Sequence, residues 1–165
     1  MENAAFKIHF EKKEELREKG IDNVEFMISS NIGEELKPLS KIASGGEISR
    51  IMLALKIIFS KVDNISVLIF DEIDTGIAGE TVKKVAEKLK TISKDVQVIC
   101  VTHSPQIAAK GDQQFFIKKE VENNLTETKV EVLSQEERVR EIARMISGDN
   151  YSEISIQHAK EIMGV

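Results

Sequence analysis

Three short clusters carry residue types that chemistry can use. Ala43-Ser44-Gly45-Gly46-Glu47 sets two adjacent glycines at the start of a run with helical apolar spacing. Without side chains there, the backbone can approach an anion closely, and free N–H groups at a helix start point toward it. Ser44 adds a donor or caps the helix, because Ser44 and Glu47 have capping-box spacing. Val67-Leu68-Ile69-Phe70-Asp71-Glu72 is an apolar run ending in two carboxylates. Such an end belongs at the C-terminal edge of a parallel sheet, where ligands of these folds bind. There Asp71 suits a Mg²⁺ site, and Glu72 suits orienting an attacking water in phosphoryl transfer. Cys100-Val101-Thr102-His103 ends a further apolar run, and a strand-end histidine can donate to a phosphate oxygen. Taken singly, each cluster has a plainer reading: an ordinary N-cap, solvated acids, a structural histidine.

The surrounding pattern supplies elements that would position them. Ile48, Ile51, Leu55, Ile58 and Phe59 recur at helical intervals, predicting a helix from Ser44 to about Lys61. Ile65–Phe70 and Val96–Val101 read as strands buried on both faces, the pattern of a parallel pair. Between them Val82, Val85, Ala86, Leu89 and Ile92 predict an amphipathic crossover helix, so both strand ends lie on one edge and His103 falls near Asp71 and Glu72. Upstream, Ala4–Phe10 and Val24–Ile28 read as strands joined by a charged connection, Glu11 to Lys19, and Asn31 to Pro38 as loop. Downstream, Phe115–Glu120 and Thr126–Leu133 read as strands, and Glu137–Ile146 and Ile154–Met163 as helices separated at Gly148.

The 165 residues fit one domain, or a piece of a larger one, with 41% hydrophobic and 31% charged residues typical of a soluble globular class. A net charge of −5 without a long basic run makes strong nucleic-acid binding by this segment alone a poor first choice. Cys100 sits within an apolar run, which predicts a buried, inert thiol and rules out a disulfide framework. One cysteine and scattered histidines make no metal cluster, and His9 and His158 read as surface or packing residues. No stretch is apolar enough to span a bilayer and the N-terminus has no signal pattern, so the expectation is a cytoplasmic protein. A Ser–His–Asp hydrolase built from Ser44, His103 and Asp71 is a rival, but Ser44 lacks the glycine-flanked nucleophile elbow.

In this order and on these elements, the three clusters resemble the signature, Walker B and switch-histidine motifs of ABC-type ATPases. Ala43-Ser44-Gly45-Gly46-Glu47-Ile48-Ser49-Arg50 resembles the SMC-like branch. Phe70 to Gly79, Val101 to Ala108 and Ala143 to Gly148 are similar to the RecN family of bacterial DNA-repair proteins. The resemblance covers the chain from about Ala4 onward. It implies an α/β fold: the C-terminal lobe of an ABC/SMC-type ATPase head, with a mainly parallel sheet core, flanking helices and additional antiparallel strands, residues 1–165 forming one domain.

The resemblance also implies roles. Ser44, Gly45, Gly46 and Glu47 would contact ATP held by an opposing head; Asp71 would hold Mg²⁺ through water; Glu72 would polarise the attacking water; His103 would sense the γ-phosphate. Arg50 and Lys56 lie on the signature helix without an assigned contact. The aspartate that many ABC proteins carry in the loop after Walker B is missing at Ala78, with Asp74 nearby but out of register. No Gly-x-x-x-x-Gly-Lys-[Ser/Thr] loop occurs and no heptad region is long enough for a coiled coil. The chain alone is therefore expected to be inactive. Its implied partners are an N-terminal Walker A half and coiled coil of the same protein, a second head in an ATP-dependent homodimer, and DNA, in a nucleoid-associated, cytoplasmic setting for double-strand-break repair and recombination. Two alternatives stay open: a half-head of another coiled-coil DNA-end ATPase, and a non-hydrolysing ABC-like scaffold.

Overall fold

The computed structural model describes residues 4–18, 20–29, 33–42, 45–59, 65–122 and 125–165. The site rests on a parallel pair, β4 (Val67–Phe70) and β5 (Gln97–Cys100), joined through helix α2 (Glu80–Ile92). Strand register sets Val67 beside Gln97 and Phe70 beside Cys100. Val101 N–H donates to the Phe70 carbonyl at 2.9 Å, carrying the pairing one residue further. Both strands thus end at the same edge.

Side chains alternate across this sheet as pleating demands. Leu68, Phe70, Val98 and Cys100 point into a core filled by Leu53, Ile73, Ile107 and the α2 residues Val82, Ala86, Leu89 and Ile92. The spacing of those four puts them on one face of α2. Among the described residues the other sheet face is uncovered: Val67 and Ile99 are exposed, and Ile69 is 70% exposed. The expected burial of both strand faces is therefore corrected to one. An apolar run dictates only that no polar group spoils either face, and cover comes from elements that must be present to supply it.

Helix α1 (Gly45–Phe59) precedes β4. Ile51 and Leu53 are buried, whereas Ile48, Ile58 and Phe59 are exposed. The predicted core stripe is thus only partly right, because α1 is apolar nearly all round and its periodicity cannot single out one face. The predicted end near Lys61, and the Ser44 cap itself, lie outside the described residues.

The remaining strands are antiparallel. β1 (Ala5–Arg17) pairs with β2 (Gly20–Ser29), and β2 with the two-residue β3 (Lys37–Pro38), which falls in the stretch expected to be loop. The charged segment after Phe10 is not a free connection: it continues β1 through Arg17, with a bulge between Lys12 and Arg17 absorbing the surplus residues. Phe6, Ile8 and Phe10 share a face with Phe26 and Val24, and Phe6 stacks on Phe26 at 5.7 Å between ring centroids. β6 (Phe115–Glu122) and β7 (Leu125–Val132) form a hairpin. Antiparallel strands therefore outnumber the parallel pair, although among the described residues it is that pair whose side chains pack on the larger hydrophobic cluster.

A short helix α3 (Pro105–Ala108), not anticipated, follows β5, and α4 (Gln135–Ser147) and α5 (Glu153–Met163) close the chain. α4 begins at Gln135, two residues before the predicted start, capped by Ser134 in a reciprocal box: Glu137 N–H donates to Ser134 Oγ, and Ser134 N–H donates to Glu137 Oε2 at 2.8 Å. Gly148, at φ 80°, ends it as expected. Val139, Ile142 and Ala143 pack on Ala159 of α5 in a second cluster.

Candidate active site

The edge where β4 and β5 end carries Asp71 and Glu72 after one strand and His103 after the other. Asp71 and Glu72 leave β4 into a tight turn closed by Thr75 N–H donating to the Glu72 carbonyl at 3.0 Å. Glu72 has φ 55°, the left-handed region, and is the one such non-glycine among the described residues. That conformation costs a carboxylate residue energy and persists only where the surroundings hold it.

Helix α1 does the holding. Ser49 Oγ donates to the Asp71 carbonyl at 3.0 Å. One terminal nitrogen of Arg50 donates to two carbonyls, Ile73 at 3.0 Å and Thr75 at 2.9 Å. Burial pulls the Arg50 guanidinium below its ordinary pKa, and the nearby Glu47 opposes that. The two glycines make this approach possible. A Cβ on Gly46 would lie 2.7 Å from the Glu72 carbonyl oxygen and 3.0 Å from that of Thr75, and one on Gly45 would lie 2.9 Å from Glu72 Oε2. Gly45, Gly46 and Glu72 are thus brought together within one chain, although the resemblance assigns them to different nucleotides. Gly46→Ala is expected to push the helix off the turn and to cost about 1–3 kcal/mol by overpacking against backbone, read as a lower midpoint in urea unfolding.

His103 emerges from β5 with its ring 83% exposed. Its nearest acid is Asp74: His103 Nδ1 lies 3.4 Å from Asp74 Oδ2. Asp74 is the residue that sequence reasoning passed over. It is 3% exposed, and its Oδ2 accepts from Thr102 Oγ1 at 2.5 Å, His103 N–H at 3.2 Å and Ser104 N–H at 3.1 Å. One carboxylate therefore ties the turn after β4 to the segment after β5. The available signal was an acid two residues after Glu72 facing a Thr-His-Ser strand end, but nothing in spacing alone says which acid turns inward.

Asp71, Glu72 and Gly45 face solvent at this edge and Gly46 is buried. Ser44 lies outside the described residues, as does any contact it makes. Burial, with Asp74 and Asp71 adding to it, pushes the Cys100 thiol up to about 12, which disfavours the reactive thiolate, although the residue is half-buried where the sequence predicted a buried one. His9 and His158 are both exposed. Among the described residues no group of three or more His, Cys, Asp or Glu side chains is placed to hold a metal by itself. A carboxylate edge beside a glycine-opened helix start can take a phosphate together with a hard cation that keeps most of its water.

Comparison with known proteins places this edge in context. The chain is 50% identical over 168 residues to the DNA repair protein RecN of Halalkalibacterium halodurans, covering 99% of this chain and 30% of that protein. It is 49% identical over 149 residues to the Bacillus subtilis protein of the same name, covering 90% of this chain and 26% of that one. It therefore spans less than a third of the length of these relatives. The fold is similar to the Smc head domain with a coiled coil and joint from Pyrococcus yayanosii, with a TM-score of 0.61 at 21% identity, covering 87% of this chain and 26% of that one. It is also similar to an SMC ATPase chain studied for ATP-driven dimerization and DNA-stimulated activation, with a TM-score of 0.53 at 23% identity, covering 87% of this chain and 82% of that one. No helix among the described residues is long and apolar enough to cross a membrane. Residues 7–126 match the RecF/RecN/SMC N-terminal domain, and the chain belongs to that family.

Proposed function

We propose that residues 1–165 are one domain, the part of a RecN-like, SMC-type DNA-repair ATPase head that carries the signature motif, Walker B acids and switch histidine. The observation that carries this is the uncovered apolar face of the β4–β5 sheet directly beside its acidic edge. Parallel sheets are stable when both faces are covered, so the bare side of Val67, Ile69 and Ile99 and the exposed Ile58 and Phe59 of α1 call for a further layer. A Walker A half of the same protein supplies it in this reading, together with the phosphate loop this sequence lacks.

The residues at the edge fit ATP and Mg²⁺. Gly45 is exposed at the helix start, where a backbone N–H can meet a phosphate, and Asp71 offers a single exposed carboxylate suited to a largely hydrated Mg²⁺. When bound, the nucleotide provides the phosphoryl group and the cation neutralises its charge. Glu72 polarises the attacking water, His103 donates to the γ-phosphate from a position steadied by Asp74, and Ser44, Gly45, Gly46 and Glu47 present donors to the nucleotide of a second head. ATP would then join two heads, hydrolysis would release them, and the cycle would act on DNA ends in the cytoplasm during double-strand-break repair. The paired carboxylates Asp71 and Glu72, exposed at the sheet edge, favour this over a non-hydrolysing scaffold.

The test compares this chain with the full-length protein. The isolated chain is expected to release no phosphate from ATP, and the full-length protein to hydrolyse it with a requirement for Mg²⁺. Turnover by the isolated chain would overturn the half-site reading, and a folded full-length protein that never hydrolyses ATP would leave the scaffold.

A further inference from the structure

Arg50 has no role in the resemblance, yet its contacts converge on the residue that reading makes central. Both of its hydrogen bonds come from one nitrogen and go to main-chain carbonyls, of Ile73 and Thr75, just beyond Glu72. Ser49, its neighbour, takes the carbonyl of Asp71, just before Glu72. The strained residue, at φ 55°, is therefore bracketed on both sides by donors from one helix. Gly46 closes the bracket: the Cβ it lacks would meet the Glu72 carbonyl and the Arg50 nitrogen, at 2.7 and 3.0 Å. Apart from these donors the turn has the Thr75 N–H bond to the Glu72 carbonyl within itself and, two residues beyond Glu72, the Asp74 carboxylate held by 102–104, and a carboxylate residue has no intrinsic reason to remain left-handed.

We infer that Arg50 is a positioning residue for Glu72: by holding the Ile73 and Thr75 carbonyls it keeps Glu72 left-handed and its carboxylate beside Gly45. The inference rests on the proposal that Glu72 orients the attacking water. It adds a mechanical link. The helix start carrying Gly45 and Gly46 and the turn carrying Glu72 move as one body, so whatever contacts the helix start is felt at the carboxylate. Arg50 touches no reacting atom; it acts through the turn.

Two readouts in the full-length protein test this, one independent of catalysis. Arg50→Met keeps an unbranched apolar stem and removes the donor nitrogen with both of its bonds, while Arg50→Lys keeps a cationic nitrogen on a stem one atom shorter. The Thr75 amide should exchange with deuterium markedly faster in Arg50→Met and close to the wild-type rate in Arg50→Lys. In parallel, kcat should fall about 100-fold in Arg50→Met, the scale of a small misplacement of a reacting group, with KM and ATP-dependent dimer formation unchanged, and should recover largely in Arg50→Lys. Ser49→Ala, a milder lesion on the opposite side of Glu72, should move both readouts in the same direction by less, and it decides the matter if Arg50→Met does not fold. Unchanged Thr75 exchange in Arg50→Met, or in Ser49→Ala if it alone folds, would overturn the inference. So would a kcat loss matched by equal losses in ATP binding and dimer formation. If the wild-type protein hydrolyses no ATP, the functional reading fails, and the exchange result alone still confirms or overturns the role of Arg50.

Discussion

Glu72→Gln in the full-length protein should reduce ATP turnover by about 100- to 10,000-fold, the range associated with losing a general base, while ATP-bound head pairs accumulate. The substitution is nearly isosteric, so it leaves the Ser49 and Arg50 bonds to the flanking carbonyls in place, because both end on main-chain atoms. It also leaves the glycine approach intact, since an amide oxygen or nitrogen can occupy the position of Oε2 beside Gly45. What changes is the capacity to draw a proton from water, which a neutral amide lacks. Phosphate release measured beside size-exclusion profiles with and without ATP separates the two effects. Rapid turnover by Glu72→Gln would remove Glu72 from the mechanism. Slow turnover without trapped pairs would remove the second head.

Asp74→Ala should be the most destabilising change at the site, by about 3 kcal/mol or more. It strips the acceptor from the Thr102 hydroxyl and the His103 amide and leaves the Ser104 amide only its second acceptor, Thr102 Oγ1. Asp74 is buried, and each buried group left without a partner costs about 1–3 kcal/mol. Asp74→Asn can keep an oxygen where all three donors end and should cost less, losing only the charge that strengthens those bonds. Urea unfolding checks this: the midpoint falls while the slope with denaturant stays constant. Turnover should fall together with stability, because the segment that ends in His103 is anchored to the turn after Glu72 only through this carboxylate among the contacts described. A loss within about 0.5 kcal/mol, typical of a surface position, would show that the network does not hold the two strand ends.

The order of elements around the site was readable because each is specified locally. The apolar runs at 67–70 and 98–101, the one-sided spacing of Val82, Ala86, Leu89 and Ile92, and the acids and histidine at the strand ends follow from periods of two and 3.6 and from what a strand end can tolerate. The same locality explains the Ser134 box, a Ser-x-x-Glu pattern that the residues themselves announce although only the structure used it. The charged continuation of β1 was harder, since alternating salt-bridging residues such as Glu11 and Lys13 resemble a solvated connection until a partner strand is alongside.

By itself the sequence determined which residues have the chemistry: paired carboxylates at Asp71 and Glu72, glycines where a phosphate can approach, a histidine at the next strand end, and a cysteine inside an apolar run. Only the tertiary structure decided which of them hold the others. Asp74, by composition one acid among many, became the buried anchor of 102–104. Arg50, by position one cation on a helix, became the clamp around a left-handed glutamate. The uncovered face of β4 and β5 likewise belongs to the assembled fold. The physical reason is common to all three: burial, and hydrogen bonds to carbonyls or amides distant in the chain, depend on what packs beside a residue, and local periodicity carries no record of it.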